Sequence, residues 1–278
     1  MFRPDGSAGG TRARVKSIRG GMGIGDALYL QAVVRHLVAQ GQRLEVCTAW
    51  PDIFRPHAGR IEIAGFRRNP IDILAHYSRR RHYPTTQFAD VCLEAGLREP
   101  CELVLDWEIT DQAFVDPLLE RGLPIVCVQL PRAPMNRTDG IGTELLPDCR
   151  VIQQQIDALR GRVLLVQIGA GRPLFEFKGI DVDLAGKTTV AQMVDVASLA
   201  AGFVGYVSFI VPLAESLKKP ALLTWSRLGF KSPTAFVRQI TPKKICERDT
   251  SICVVDNATS DDMRAAREAF ENAIRLTR

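Results

Sequence analysis

The chain alternates short apolar runs with amphipathic segments, twice over, and this rhythm limits it to one class of architecture. Apolar runs at Arg14–Ile18, Leu44–Thr48, Ile61–Ala64, Leu103–Trp107 and Pro124–Gln129 fit strands, with helical segments at Asp26–Gln40, Thr86–Ala95 and Gln112–Arg121 among them. Such alternation calls for right-handed crossovers, so a mostly parallel sheet is expected. A polar, proline-bearing stretch at 131–148 breaks the rhythm. It restarts with a helix at 149–160, a strand at Arg162–Ile168, a helix at Thr188–Ala200 and a strand at Phe203–Val207. A helix at Val211–Leu217, a strand at Ala221–Trp225 and a closing helix at Ser260–Leu276 complete it. The expected fold is α/β, with two Rossmann-like, doubly wound domains facing each other across a cleft. A loose tail would cover 1–13, an N-terminal domain 14–148 and a C-terminal domain 149–278. Ligands in such sheets bind beyond the carboxyl ends of the strands.

The first strand-to-helix turn carries the strongest local signal, IRGGMGIGDALY at 18–29. Clustered glycines serve a backbone that needs positive φ or a close approach, and the helix beyond them offers free N–H groups. A dinucleotide fingerprint starting at Gly21 would need glycine where Asp26 stands, which argues against a nucleotide-dependent oxidoreductase. Asp26 is open to two readings, an ordinary helix cap or a carboxylate held at a cleft as a general base.

Three further stretches are candidates. GKTT at 186–189 lacks the glycine a phosphate loop needs at Asp181, so it is expected to be a turn in which Thr188 or Thr189 caps the next helix. In GAGRPLFEFKG at 169–179, Gly169 and Gly171 permit close backbone approach. Arg172 and Lys178 there supply cations, either for a diphosphate or for solvent. In GYVSFIVPLAESLKKP at 205–220, Ser208 could cap the helix or meet a phosphate, and Glu215 faces either the cleft or solvent, paired with Lys219.

Hydrophobic residues make up 46% of the 278-residue chain and charged residues 24%, as in an ordinary soluble protein. No apolar run approaches the ~20 residues of a membrane span, and the N-terminus has no apolar signal core. The seven cysteines form no C-x-x-C pair and the four histidines no ligand spacing, so a reducing, cytoplasmic setting and no metal are expected. The net charge of +5 suits an acidic partner. Basic clusters at Arg67–Arg68 and Arg79–His82 have few interleaved aromatics, which favours a solvated face over a nucleic-acid platform.

Two separated segments resemble a known family. SIRGGMGIGDALYLQAVVRHL is similar to the opening of glycosyltransferase family 9, the ADP-heptose:lipopolysaccharide heptosyltransferases and their relatives. DLAGKTTVAQMVDVASLAAGFVGYVSFIVPLAESLKKPALLTW is similar to that family's C-terminal signature. The resemblance implies a GT-B fold and an inverting, metal-independent transfer of sugar from a nucleotide-diphosphate sugar, with no cofactor beyond that co-substrate. It implies Asp26 as catalytic base and Gly23 and Gly25 as the acceptor-side turn. Gly169, Gly171, Arg172, Lys178 and Ser208 would lie around the donor diphosphate, and the acceptor would be a glycan, a lipopolysaccharide or another polyanion. Where the family's loop has Asp, Gly and His, this chain has Val207, Phe209 and Pro212. Those changes keep a second reading open, a catalytically lapsed module that binds nucleotide or glycan or serves a structural role.

Overall fold

A computed structural model describes residues 14–67, 70–77, 86–131, 146–171, 175–227 and 242–276. The first sheet comprises β1 (Lys16–Arg19), β2 (Leu44–Thr48), β3 (Ile61–Gly65) and β4 (Ile73–Leu74) in the order β3-β2-β1-β4, all parallel. The second comprises β5 (Ile125–Val128), β6 (Leu164–Gln167), β7 (Val182–Asp183), β8 (Gly202–Tyr206), β9 (Ala221–Trp225) and β10 (Ser251–Val255). Its order is β10-β9-β8-β5-β6-β7, again all parallel. Every residue of β5, β6, β8 and β9 is buried, as a sheet covered on both faces requires.

The helices are α1 (Ile24–Ala39), α2 (Gln87–Glu94), α3 (Gln112–Leu119), α4 (Cys149–Leu159), α5 (Val190–Leu199) and α6 (Ile210–Ser216), with a C-terminal helix at Ser260–Ala273. Helix α1 is buried nearly all round, at Leu28, Leu30, Val33, Val34 and Leu37 among others, because it lies between the first sheet and α6. One apolar cluster accordingly runs from Ile18 and Val46 through α1 to Ile210 and Leu213 and on to Phe203 and Leu223. A second cluster covers the other face of the second sheet, under α4 and the C-terminal helix.

Three sequence expectations need correction. The run 124–129 belongs to the second sheet, where Val126 pairs with Leu165 and Gly202. Periodicity identifies a buried strand but not the sheet that receives it. The run 103–107 joins no sheet; it crosses from one unit to the other in extended form, and Leu105 N donates to the Ser216 carbonyl at 2.9 Å. Its apolar side chains are buried by helices, which leave the same sequence trace as a ladder. Glu215 faces neither the cleft nor solvent and makes no surface pair with Lys219: it is fully buried on α6.

Buried carboxylates fasten the crossing segment and the C-terminal region to the second unit. Asp195 of α5 is fully buried and accepts from Trp107 Nε1 (2.7 Å), Thr110 N (2.9 Å), Thr110 Oγ1 (2.7 Å) and Asp111 N (3.0 Å). Glu215 accepts from Glu247 N (2.9 Å) and Ser251 Oγ (2.8 Å), while Arg248 bonds the Glu215 and Leu103 carbonyls. Burial pushes the Glu215 carboxyl up to about 7, against the hydrogen bonds that favour its charged form.

Two outcomes follow for stability. Replacing Asp195 by Ala leaves four donors unpartnered in the interior and should cost at least about 3 kcal/mol in urea unfolding, with Asp195→Asn intermediate. A carboxyl that titrates higher folded than unfolded binds more protons in the native state. Its contribution is therefore full at low pH and fades as pH rises from the ordinary Glu range through about 7. Glu215→Gln should flatten that fall in a pH series of melting temperatures; an unchanged slope would place the titration elsewhere.

Candidate functional site

The two sheets present the carboxyl ends of their strands to a shared cleft of about 600 Å³. On the first-unit side the wall is built by the turn after β1, by Trp50 after β2 and by Tyr77 after β4. The glycines of 20–25 do not adopt positive φ; they supply space. A Cβ on Gly21 would come within 2.4 Å of Asp26 Oδ2 and 2.7 Å of His76 Cδ2, and one on Gly25 within 3.3 Å of Pro212 Cγ. Gly21 thus admits Asp26 and His76 side by side, and Gly25 lets α1 approach α6.

Asp26 stands at the third position of α1, and its Oδ2 accepts from Gly23 N at 3.0 Å. Gly23 is the N-cap residue and has no side chain to return the bond, so the carboxylate caps from one side only. Its Oδ1 lies 4.0 Å from His76 Nε2, and the side chain is 18% exposed. Asp26 thus caps the helix through Oδ2 and is also a lining residue of the cleft. His76 stacks on Tyr77 with ring centroids 4.4 Å apart, and Trp50 is oriented by its indole N–H donating to the Met22 carbonyl at 2.8 Å.

The second-unit side is formed by the turn after β6, the start of α5 and the loop after β8. Gly169 and Gly171 have φ of 105° and 81°, which side chains rarely tolerate, and Gly186 N donates to the Gly169 carbonyl at 2.8 Å. Thr189 caps α5, its hydroxyl accepting from Gln192 N and its N–H donating to Gln192 Oε1, both at 3.1 Å. Thr188, Thr189 and Val190 therefore bring the α5 N-terminus to the cleft wall. The Ser208 hydroxyl lies against the Gln129 side chain and 3.1 Å from the Tyr206 carbonyl. The Phe209 ring covers the Gly169 turn, 3.7 Å from where a Cβ would stand.

Of the residues expected at the site, Gly23, Gly25, Asp26, Gly169 and Ser208 line the cleft, and Gly171 adjoins it next to Ala170. Lys178 does not: it is exposed, and its backbone is tied to Gln153 of α4, with Lys178 N donating to Gln153 Oε1 at 2.9 Å. The chain there runs along α4 toward β7, which carries Lys178 away from the cleft. Arg172, Arg68, the run Arg79–His82 and the tail 1–13 lie outside the described residues. Arg67 pairs with Glu45. Among the described lining residues there is no Lys or Arg. No sequence motif marks Tyr29, Trp50, His76, Tyr77 or Gln129. Four of these five follow strand ends; Trp50 lies just past the expected strand 44–48, and Gln129 is the last residue of the expected strand 124–129.

Among the described residues no group of three His, Cys, Asp or Glu could hold a metal ion, and no helix is long and apolar enough to cross a membrane. All seven cysteines are free thiols.

No protein-family profile and no curated protein sequence matches the chain. Solved structures do match. The glycosyl transferase family 9 protein of Veillonella parvula superposes with a TM-score of 0.59 at 10% identity, over 92% of this chain and 90% of that one. The E. coli ADP-heptose LPS heptosyltransferase II gives 0.56 at 12% identity, over 94% and 99%. The E. coli heptosyltransferase WaaC, solved with ADP, gives 0.54 at 12% identity, over 92% and 99%. Similarity that spans both sheets and nearly the full length of each partner gives this chain the GT-B fold of those glycosyltransferases.

Proposed function

We propose that the protein is a glycosyltransferase that moves a sugar from a nucleotide-diphosphate donor to an acceptor hydroxyl, like the heptosyltransferases it resembles. The observation that carries this reading is Asp26, which is fixed by the Gly23 N–H through Oδ2 and lines a cleft between two strand-end walls. The acceptor O–H would give its proton to Asp26 Oδ1 as its oxygen bonds to the anomeric carbon. The bond from that carbon to the diphosphate oxygen breaks at the same time, and the diphosphate leaves with the electron pair. A single displacement of this kind inverts the anomeric centre. The α5 N-terminus and the Gly169–Gly171 turn face the cleft opposite Asp26 and suit the diphosphate. Arg172 follows that turn directly.

A structural neighbour solved with ADP supports a nucleotide ligand. Metal independence is part of the proposal, since Asp26 is the only carboxylate among the described lining residues and is already committed to the acceptor. Free thiols throughout agree with a cytoplasmic setting. The acceptor is proposed to be a glycan, with a lipopolysaccharide-type or other polyanionic chain as the alternative to a neutral one.

A second reading rests on the loop after β8. Phe209 covers the Gly169 turn and Ser208 is engaged with Gln129 and Tyr206, so a binding module that has lost turnover accounts for the same fold.

Asp26→Asn separates the two. The amide oxygen can still accept from Gly23 N, so the fold and donor affinity should persist, while transfer falls about 10²–10⁴-fold in a donor-consumption assay with and without a chelator. Wild-type turnover in the variant makes Asp26 a helix cap and no more; loss of turnover with chelator alone contradicts metal independence. Gly21→Ala should also cut transfer, because its Cβ displaces Asp26 and His76.

A further inference from the structure

Four of the seven cysteines stand in two pairs whose sulfurs touch. Cys246 Sγ lies 3.7 Å from Cys253 Sγ, and Cys92 Sγ lies 3.7 Å from Cys101 Sγ. No cysteine lines the cleft, and the proposed reaction uses no thiol. A further approach of about 1.7 Å would bring either pair to the ~2.05 Å of a disulfide bond.

The two pairs differ in access. Cys246 follows a short helix at Pro242–Ile245, and Cys253 is the middle residue of β10, where it pairs with Leu223 of β9. Both residues are part-exposed, and the span between them turns back at the exposed Asp249 and Thr250, with Ser251 N donating to the Arg248 carbonyl at 3.2 Å. Cys92 of α2 is instead fully buried, and the Cys101 sulfur also faces the Ala32 carbonyl at 3.7 Å. A small oxidant therefore meets the 246–253 pair first.

The pair is also set up for thiol chemistry. The thiol of one member, donating to the sulfur of the other, favours one thiolate over two. That bond holds Cys253 below the ordinary thiol value and Cys246 above it. The thiolate is the attacking form of cysteine, so Cys253 is the nucleophile and Cys246 the resolving thiol.

We propose that Cys246 and Cys253 form a site of reversible oxidation, closed to a disulfide by hydrogen peroxide and reopened by thiols. The Cys253 sulfur attacks one peroxide oxygen and the O–O bond breaks. The hydroxide that leaves takes up the Cys253 thiol proton as water, and Cys253 is left as a sulfenic acid. The Cys246 sulfur then attacks the Cys253 sulfur. The S–O bond breaks, and the second hydroxide leaves as water with the Cys246 proton. Two thiols have lost two electrons and two protons, and one peroxide has become two waters. Disulfides of this transient kind suit a reducing compartment.

The location gives the bond a consequence. Glu247 N and Ser251 Oγ, both inside the closed loop, hold the buried Glu215 of α6, and Ile245 beside Cys246 lines the cleft. A covalent tie to β10 fastens this loop to the second sheet, behind the cleft wall.

The test uses the full chain, reduced with dithiothreitol, desalted and exposed without denaturant to a small excess of hydrogen peroxide. Free thiols are then blocked with N-ethylmaleimide. Trypsin cuts after Lys244, Arg248 and Arg264, so the disulfide is read as peptide 245–248 joined to peptide 249–264. The other pair would join 82–98 to 99–121. The first product should exceed the second about tenfold and vanish on reduction. Oxidised protein should melt about 2 °C or more above reduced protein, in the wild type and in Cys92→Ser but not in Cys253→Ser. In Cys246→Ser no thiol resolves the sulfenic acid, so Cys253 should take up dimedone about fivefold more than in the wild type. A 246–253 disulfide that never forms or forms only in urea would overturn the proposal. So would Cys92–Cys101 as the main product, an oxidised chain that melts no higher, or equal dimedone uptake in Cys246→Ser and the wild type.

Discussion

The geometry of the cleft's second-unit wall depends on two buried carboxylates, one fastening the crossing segment to α5 and one fastening α6 to the residues before β10. Asp195 takes four hydrogen bonds from the segment that crosses between the units, and Glu215 takes its bonds from residues 247–251, which precede β10. Neither is neutralised by a directly bonded cation; each is satisfied by N–H and O–H donors. Such an arrangement is directional where an apolar interface is not, since four donors converge on one pair of oxygens in only one relative placement. Both carboxylates belong to helices whose N-terminal ends form the cleft wall, Asp195 to α5 and Glu215 to α6. Fixing these helices fixes the position of Thr189, Phe209 and Pro212 opposite Asp26.

The same economy appears in the loop after β8. The resemblance to family 9 sets a histidine where Pro212 stands and a glycine where Phe209 stands. Here Pro212 packs against Gly25 of α1 and Phe209 covers the Gly169 turn. Both residues serve packing in this chain. The carboxylate of Asp26 stands on the other wall with its glycine turn.

Much of this was legible in the sequence. The alternation of runs located the main strands and helices of both sheets, and the Gly-Asp pair located the carboxylate at the cleft. A cap for α5 at Thr188 or Thr189 is also legible, because capping chemistry is local, and the structure assigns it to Thr189. What was hidden is tertiary. The run 124–129 has the composition of a strand in any sheet, and only pairing with β6 and β8 assigns it to the second. Two-residue strands such as Ile73–Leu74 carry no periodicity; Asp72, bonded to Ser17 N at 2.8 Å, secures that one. Glu215 and Lys219 have the spacing of a surface pair, and nothing local tells that the helix between them is wholly buried. Lys178 looked like a cation for the diphosphate because sequence distance from Gly171 is short, yet the chain turns along α4. Tyr29 and His76 belong to no motif at all; they matter through what the fold sets beside them.

The account stands on the cleft as the place where a nucleotide-diphosphate ligand meets both units. Amide hydrogen exchange, followed with and without saturating nucleoside diphosphate sugars, tests that most directly because it reports where a ligand orders the backbone. Protection is expected at 168–171, at 187–192 and at 207–212, together with 23–26 across the cleft. A ligand that binds while leaving those segments unchanged, or that protects only the outer faces of the sheets, would contradict the account.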